Sequence, residues 1–342
     1  MPAFLLLWLL FHAVLFSAES PPVYAVSRIL GNIQPRQAEA PQIWGSRVVQ
    51  QYLFQDVLPE EDFLELRFPL SYWRYYLALQ MELAKHFPEE SSRPRILLSL
   101  RNSLRVPEKI IGVVGGLGPL ADARLLELAM SELEAAYWAI PSVELRINSD
   151  PHPPRTFLAS LNLSTWSYLL DIVNFLRQED VHEFVLGSNT AHIYLKLLNG
   201  FSEGRIFDGI SYVSHRMKNN LPVPEQILVL GTSQAYEHEL YPKALRALGL
   251  KVLSPSQEQQ ERVQQAIDLI KSGKLESGRK LLNALFGEWG QDRISHVLLG
   301  CTELPLVVDS KMVREVLGSE AEVVNTLLIF AQYLAGRLKT TA

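Results

Sequence analysis

Two segments of this chain end in a small residue able to carry a proton. Glu183-Phe-Val-Leu-Gly-Ser188-Asn-Thr190 and His296-Val-Leu-Leu-Gly-Cys301-Thr-Glu303 each run apolar to a glycine, then a serine or cysteine, with a threonine close behind. A buried parallel strand delivers a reactive side chain to its carboxyl end in this way. Cys301 is the single cysteine of the chain. A lone cysteine is often only a small core hydrophobe. Here Thr302 and Glu303 follow at once, where a helix N-terminus could begin, and that setting is expected to lower the thiol pKa and enrich the thiolate. Ser188 carries a far weaker acid and needs help to ionise. His192, four residues on, is a candidate helper if the segment is helical, with a structural role as the other reading. No nearby G-x-S-x-G elbow supports an esterase triad.

The echo extends to a second pair. Ile110-Ile-Gly-Val-Val-Gly115-Gly116 and Ile227-Leu-Val-Leu-Gly231-Thr232 both read as a strand followed by a small-residue turn. The two pairs are offset by 117 residues (110 to 227) and 113 residues (188 to 301). One long offset, with four strand ends in the same order, predicts two related α/β lobes rather than a short-period solenoid. The plainer account is shared α/β strand patterning.

Other candidates lie on loops. Gly116-Leu-Gly118-Pro-Leu-Ala121 fits a dinucleotide fingerprint, but the next acid after a strand, Asp150, lies too far on for a ribose. The same glycines at a helix N-terminus suit a carboxylate, because backbone donors and helix dipole both point at an anion. Arg155 sits in a proline-rich loop beyond a strand. It is either solvated or a bidentate carboxylate clamp. Lys271 precedes Ser272-Gly273 and reads as a C-cap partner.

Positioning these residues requires alternating strands and helices, hence parallel sheets with ligands at the carboxyl strand ends. The expected elements are strands at Ile110, Val143–Ile147, Ile227–Leu230 and Lys251–Leu253, and the two strands that end at Ser188 and Cys301. The expected helices are 120–137, 166–178, 235–248, Gln257–Lys271, 276–289 and 326–338, the last packing back on the first lobe. The fold class is therefore α/β: two pseudo-symmetric parallel-sheet lobes with the active site in the cleft between them, plus an N-terminal mainly helical extension. The lobes are assigned to 108–222 plus 314–342 and to 223–313. Residues 21–107 fit neither repeat. Their aromatic-rich stretch 62–87 reads as helix with an apolar face, serving as a cover, a homodimer contact or a lid.

At 342 residues the chain can hold two domains, and 48% hydrophobic residues supply a core. A net charge of −5 without a long basic run argues against nucleic acid as main partner. One cysteine excludes a disulfide framework and a cysteine-rich zinc site, and no metal is assigned. Phe4–Phe16 is almost wholly apolar. It is too short to span a bilayer comfortably, yet it suits the core of a signal peptide or anchor over 1–20. A basic residue before it and a clean cleavage site are both missing. The expectation is export; without a signal peptide the protein is cytoplasmic.

Taken in order over most of 109–335, these segments resemble the aspartate/glutamate racemase family, the pyridoxal-independent enzymes with two cysteines. The resemblance rests on Lys109 to Ala121, His152-Pro-Pro-Arg155-Thr156, Ser188-Asn-Thr-Ala-His192, Leu253-Ser-Pro-Ser256, Lys271-Ser-Gly273, Gly278-Arg-Lys-Leu281 and Leu299-Gly-Cys301-Thr-Glu-Leu-Pro305. It implies proton chemistry at the α-carbon of aspartate or glutamate with no cofactor: one thiolate removes the proton and a second thiol returns one on the opposite face. By position it makes Cys301 and Ser188 the catalytic pair. Gly116, Gly118, Arg155, Asn189, Thr190, Lys271 and Thr302 become substrate-binding residues, with His192 and Glu303 behind them. The departure is Ser188 where the family carries its first cysteine. Effective bases have pKa values near the working pH, so the expectations are one-sided racemisation, protonation chemistry like that of single-cysteine decarboxylase relatives, or carboxylate binding without catalysis.

Overall fold

The computed structural model describes residues 64–69, 96–101, 109–115, 119–133, 143–149, 169–170, 172–174, 176–177, 181, 183–201, 206–220, 226–290 and 292–339. Two sheets organise them. The first holds β1 (Leu64–Pro69), β2 (Ile96–Arg101), β3 (Lys109–Val114), β4 (Val143–Ser149) and β5 (Glu183–Leu186), in the order β1-β2-β4-β3-β5. All its neighbours are parallel except β2 and β4. The second holds β6 (Gln226–Leu230), β7 (Lys251–Leu253), β8 (His296–Leu299) and β9 (Glu322–Asn325), wholly parallel, in the order β7-β6-β8-β9.

The helices, in chain order, are α1 (Pro119–Leu133), α2 (Leu195–Phe201), α3 (Gly209–Asn220), α4 (Ser233–Glu237), α5 (Leu240–Ala247), α6 (Gln257–Lys271), α7 (Leu275–Glu288), α8 (Ser310–Leu317) and α9 (Thr326–Lys339). Short 3₁₀ turns, Thr190–Tyr194 and Leu304–Leu306, follow β5 and β8. Residues 169–170, 172–174 and 176–177 are also helical, as expected for 166–178.

The duplication read from the sequence is present in the topology. The triplet β4-β3-β5 and the triplet β7-β6-β8 carry the same internal order, the first strand of each lobe lying between its second and third. Strand alternation divides the core. Ile227 and Val229 of β6 and Leu298 of β8 join Ile111 and Val113 of β3 and Val185 of β5 in a cluster shared by both lobes. Leu228, Leu230, Val297 and Leu299 face the other way, onto α6, α7 and α8. Val114, Phe184 and Leu186 pack on the helix around 169–176. The period of two puts neighbouring side chains on opposite faces, so each strand serves two clusters.

Three expectations change. Residues 64–69 form an edge strand where a helix over 62–87 was predicted. Leu64-Glu-Leu-Arg-Phe68 alternates strictly, and Pro69 is tolerated at a sheet edge because no ladder donor is lost there. The remainder of the predicted N-terminal helix and residues 1–20 lie outside the described residues. Helix 235–248 is instead two helices broken at Glu239, whose φ is 49°. Pro242 in the first turn of α5 cannot donate backward and fixes the break. Residues 314–325 belong to the second lobe: α8 packs Met312 and Val313 into that lobe's core and β9 pairs with β8. Only α9 returns to the first lobe, burying Leu327, Phe330, Ala331, Leu334 and Leu338 against α1 in a helical i, i+3, i+4 stripe.

Candidate functional site

The two strand ends that carry Ser188 and Cys301 are built alike. β3 and β5 are in register at Val114 and Leu186, and β6 and β8 at Leu230 and Leu299. In the first lobe the Gly187 N–H donates to the Val114 carbonyl at 2.9 Å; in the second the Gly300 N–H donates to the Leu230 carbonyl at 2.7 Å. The next residue is Ser188 in one case and Cys301 in the other. Both glycines sit in close quarters, and at Gly300 the obstacle is backbone. A Cβ at Gly187 would lie 2.5 Å from Asp122 Oδ1, and one at Gly300 would lie 2.9 Å from the Leu230 carbonyl and 3.0 Å from the Tyr241 ring. The carboxyl ends of β5 and β6 meet across the lobes, where Thr190 Oγ1 and Thr232 Oγ1 are 2.8 Å apart. Thr232 also caps α4, accepting from the Ala235 N–H.

Around Cys301 the structure assembles an acid and a base. Sγ donates to Glu303 Oε2 at 2.9 Å, and Thr302 Oγ1 donates to the same oxygen at 3.3 Å. Lys271 Nζ, at the C-terminus of α6, lies 3.8 Å from Glu303 Oε1. Cys301 and Glu303 are buried, 3% and 4% exposed, while the Lys271 side chain is 25% exposed. The expected lowering of the thiol pKa is overturned. Burial pushes the Cys301 thiol well above its ordinary value, the Glu303 charge adds to the rise, and Lys271 opposes it. The segment after Cys301 is one 3₁₀ turn with its own buried carboxylate, so the anion beside the sulfur outweighs any dipole.

Ser188 is partly exposed, and among the described residues its hydroxyl has no hydrogen-bond partner. His192 is not its helper. Nε2 accepts from the Gly209 N–H at 3.1 Å, which fixes Nδ1 as the protonated nitrogen, and Nδ1–H donates to the Ser188 carbonyl at 3.0 Å. Burial lowers the His192 pKa, and the neutral ring braces the 190–194 turn against α3. Asn189 is buried, with Oδ1 accepting from Tyr241 and Nδ2 donating to Thr326. Thr190 and Thr302 stand at the strand ends, engaged with Thr232 and Glu303. Gly116, Gly118 and Arg155 lie outside the described residues. Tyr241 and Thr326 were missed by the sequence reading; their only signal is a polar group on a helix that otherwise buries apolar residues.

Cys301, Glu303, Lys271, Thr302 and the Ser188 strand end thus bring a thiol, a carboxylate, an ammonium and hydroxyls to the carboxyl ends of parallel strands in the two sheets, where α/β folds hold ligands. Among the described residues, no group of three or more His, Cys, Asp or Glu side chains is arranged to hold a metal, and no helix is long and apolar enough to cross a membrane.

A family model described as Asp/Glu/Hydantoin racemase matches residues 115–333. The fold is similar to that of an aspartate racemase from Picrophilus torridus, with 21% identity, a TM-score of 0.57, and coverage of 68% of this chain and 96% of that one. It is similar also to an aspartate racemase homologue from Pyrococcus horikoshii OT3, with 20% identity, a TM-score of 0.53, and coverage of 68% and 100%.

Proposed function

The chain belongs to the Asp/Glu/hydantoin racemase family, and from that premise we propose that it exchanges the α-proton of aspartate or glutamate without a cofactor, Cys301 acting as the base and Ser188 as the opposing proton donor. The observation that supports this reading is the pair of matched strand ends, Gly187 to Val114 and Gly300 to Leu230, each followed by one of the two residues, Ser188 and Cys301. The chemistry follows from the contacts. Cys301 passes its proton to Glu303 Oε2, and the thiolate removes the α-proton. Ser188 then gives its hydroxyl proton to the carbanion on the other face and regains one from water, and Glu303 releases the proton it took from Cys301 to the hydroxide left behind. Lys271 and Arg155 supply positive charge for the two substrate carboxylates, and a carboxylate drawn to Lys271 leaves Glu303 a stronger base toward the thiol. A hydroxyl is a poor base, so α-proton exchange is faster from the enantiomer whose α-hydrogen faces Cys301, and net racemisation is slow in both directions.

The raised Cys301 pKa favours a second reading, a carboxylate-binding protein without turnover, because the resting thiol is held neutral. Incubation with L- and D-aspartate and glutamate in D₂O separates the two. Exchange of the α-proton by NMR, faster from one enantiomer and abolished by Cys301→Ala, supports the enzyme. Saturable binding by calorimetry with no exchange in any of the four supports the binder.

A further inference from the structure

We infer that Tyr241, Asn189 and Thr326 form with the Leu299–Gly300 backbone a buried ring, three hydrogen bonds closed by one packing contact, that sets the position of the Cys301 strand end relative to the Ser188 strand end; the inference rests on the reading of those two residues as the proton carriers. Asn189 directly follows Ser188. Its Oδ1 accepts from the Tyr241 hydroxyl at 2.6 Å, and its Nδ2 donates to Thr326 Oγ1 at 3.1 Å. The Thr326 hydroxyl in turn donates to the Leu299 carbonyl at 2.6 Å, two residues before Cys301. The ring closes through packing: a Cβ on Gly300 would meet Tyr241 Cδ2 at 3.0 Å and Cε2 at 3.2 Å. The strand ends that carry Ser188 and Cys301 are therefore gripped by one structure, drawn from the turn after β5 and from α5, α9 and β8.

The direction of the chain is fixed by proton counting. Were the Asn189 amide reversed, Thr326 would have to give its one proton to both Asn189 and Leu299. Burial of all three side chains makes each bond costly to lose, because a deserted partner stays dry and unpaired. Burial also raises the Tyr241 pKa, so the donor keeps its proton. None of the three side chains hydrogen-bonds the Cys301 thiol or the Ser188 hydroxyl. They are positioning residues, and a small loosening at a reacting centre is enough to slow proton transfer greatly.

The full chain tests this, because its single cysteine makes alkylation a report on Cys301 alone. Tyr241→Phe and Thr326→Val each remove one link while keeping the side chain's shape, and Thr326→Ser keeps the link. In α-proton exchange, Tyr241→Phe and Thr326→Val are expected to lower kcat about 10- to 100-fold with KM changed by no more than about twofold, with Thr326→Ser restoring most of the loss. Iodoacetamide alkylation of Cys301, followed by intact mass, is expected to accelerate in the first two variants and stay at the wild-type rate in Thr326→Ser. Wild-type kcat and wild-type alkylation in folded Tyr241→Phe and Thr326→Val overturn the ring. If Tyr241→Phe does not fold, the Thr326 pair decides alone: equal behaviour of Val and Ser overturns the proposal. If the wild type exchanges no α-proton, the enzymatic reading falls, while the alkylation rates still judge the ring.

Discussion

Ser188 and Cys301 differ by one atom and by several orders of magnitude in acidity, and that difference governs what each can do to a C–H bond. Ser188→Cys is expected to raise racemisation of aspartate or glutamate by about tenfold or more, since a thiol near its working pH is the better base; chiral chromatography over time measures it, and an unchanged rate would place residue 188 outside the reaction. The environment of Cys301 makes a second prediction. Its proton is held by burial first and by the Glu303 charge next, so the pH profile of its alkylation should have a midpoint above that of free cysteine. Glu303→Gln removes the negative charge and should move that midpoint down, because the thiolate no longer faces an anion. A midpoint that stays or rises would show that Glu303 does not act on the sulfur electrostatically.

At the scale of elements, the glycines at the strand ends carry unequal burdens. Gly300 sits between the Leu230 carbonyl and the Tyr241 ring, so Gly300→Ala should cost about 1–3 kcal/mol through overpacking. Gly336, on the exposed side of α9, has nothing within 4 Å of an added Cβ. Gly336→Ala should therefore stabilise by about 0.5–1 kcal/mol, by helix propensity alone. Urea titrations of the two variants should move to opposite sides of the wild type. The contrast locates the constraint at the site's edge of the sheet rather than in glycine content. Helix capping follows the same local logic: Ser256 and Gln259 form a capping box at the start of α6, which holds Lys271 at the other end of the same helix.

For the whole molecule, the lobes are tied to each other at the carboxyl edge, and α9 is tied to the first sheet at its amino edge. At the carboxyl edge stand Thr190 with Thr232 and the Tyr241–Asn189–Thr326 ring. At the amino edge of the first sheet, Glu183 of β5 receives Arg337 of α9, through Nε at 3.0 Å and through a second guanidinium nitrogen, and Lys109 of β3 at 3.2 Å. Burial by itself would raise the Glu183 pKa, but the hydrogen bonds from Arg337 and Lys109 outweigh it and hold the carboxyl below its ordinary 4.5. The folded value lies below the unfolded one, so this contribution is present above pH 4.5 and is lost as pH falls through the folded value. Denaturation midpoints should drop with acidification in the wild type and drop less steeply in Glu183→Gln. Equal slopes would mean the triad does not couple α9 to the sheet.

The repeat of strand, glycine and proton carrier was legible in the chain because strands that pack on both faces must be apolar and their exits must be small. So were α6 and α9, whose apolar residues recur at helical spacing, and the short strand β7 just ahead of α6. The residues alone could not give the edge strand β1, since aromatic-rich sequence downstream favoured a helix and its partner β2 is remote in the chain. Nor could they give the state of Cys301. Its pKa depends on Glu303 turning back onto the sulfur and on closure of the core, both products of tertiary packing. The same holds for His192, Tyr241 and Thr326. Local order fixes which side chain leaves a strand end, but the partners of a buried polar atom are set by whichever distant elements close over it, and those are chosen only when the two lobes meet.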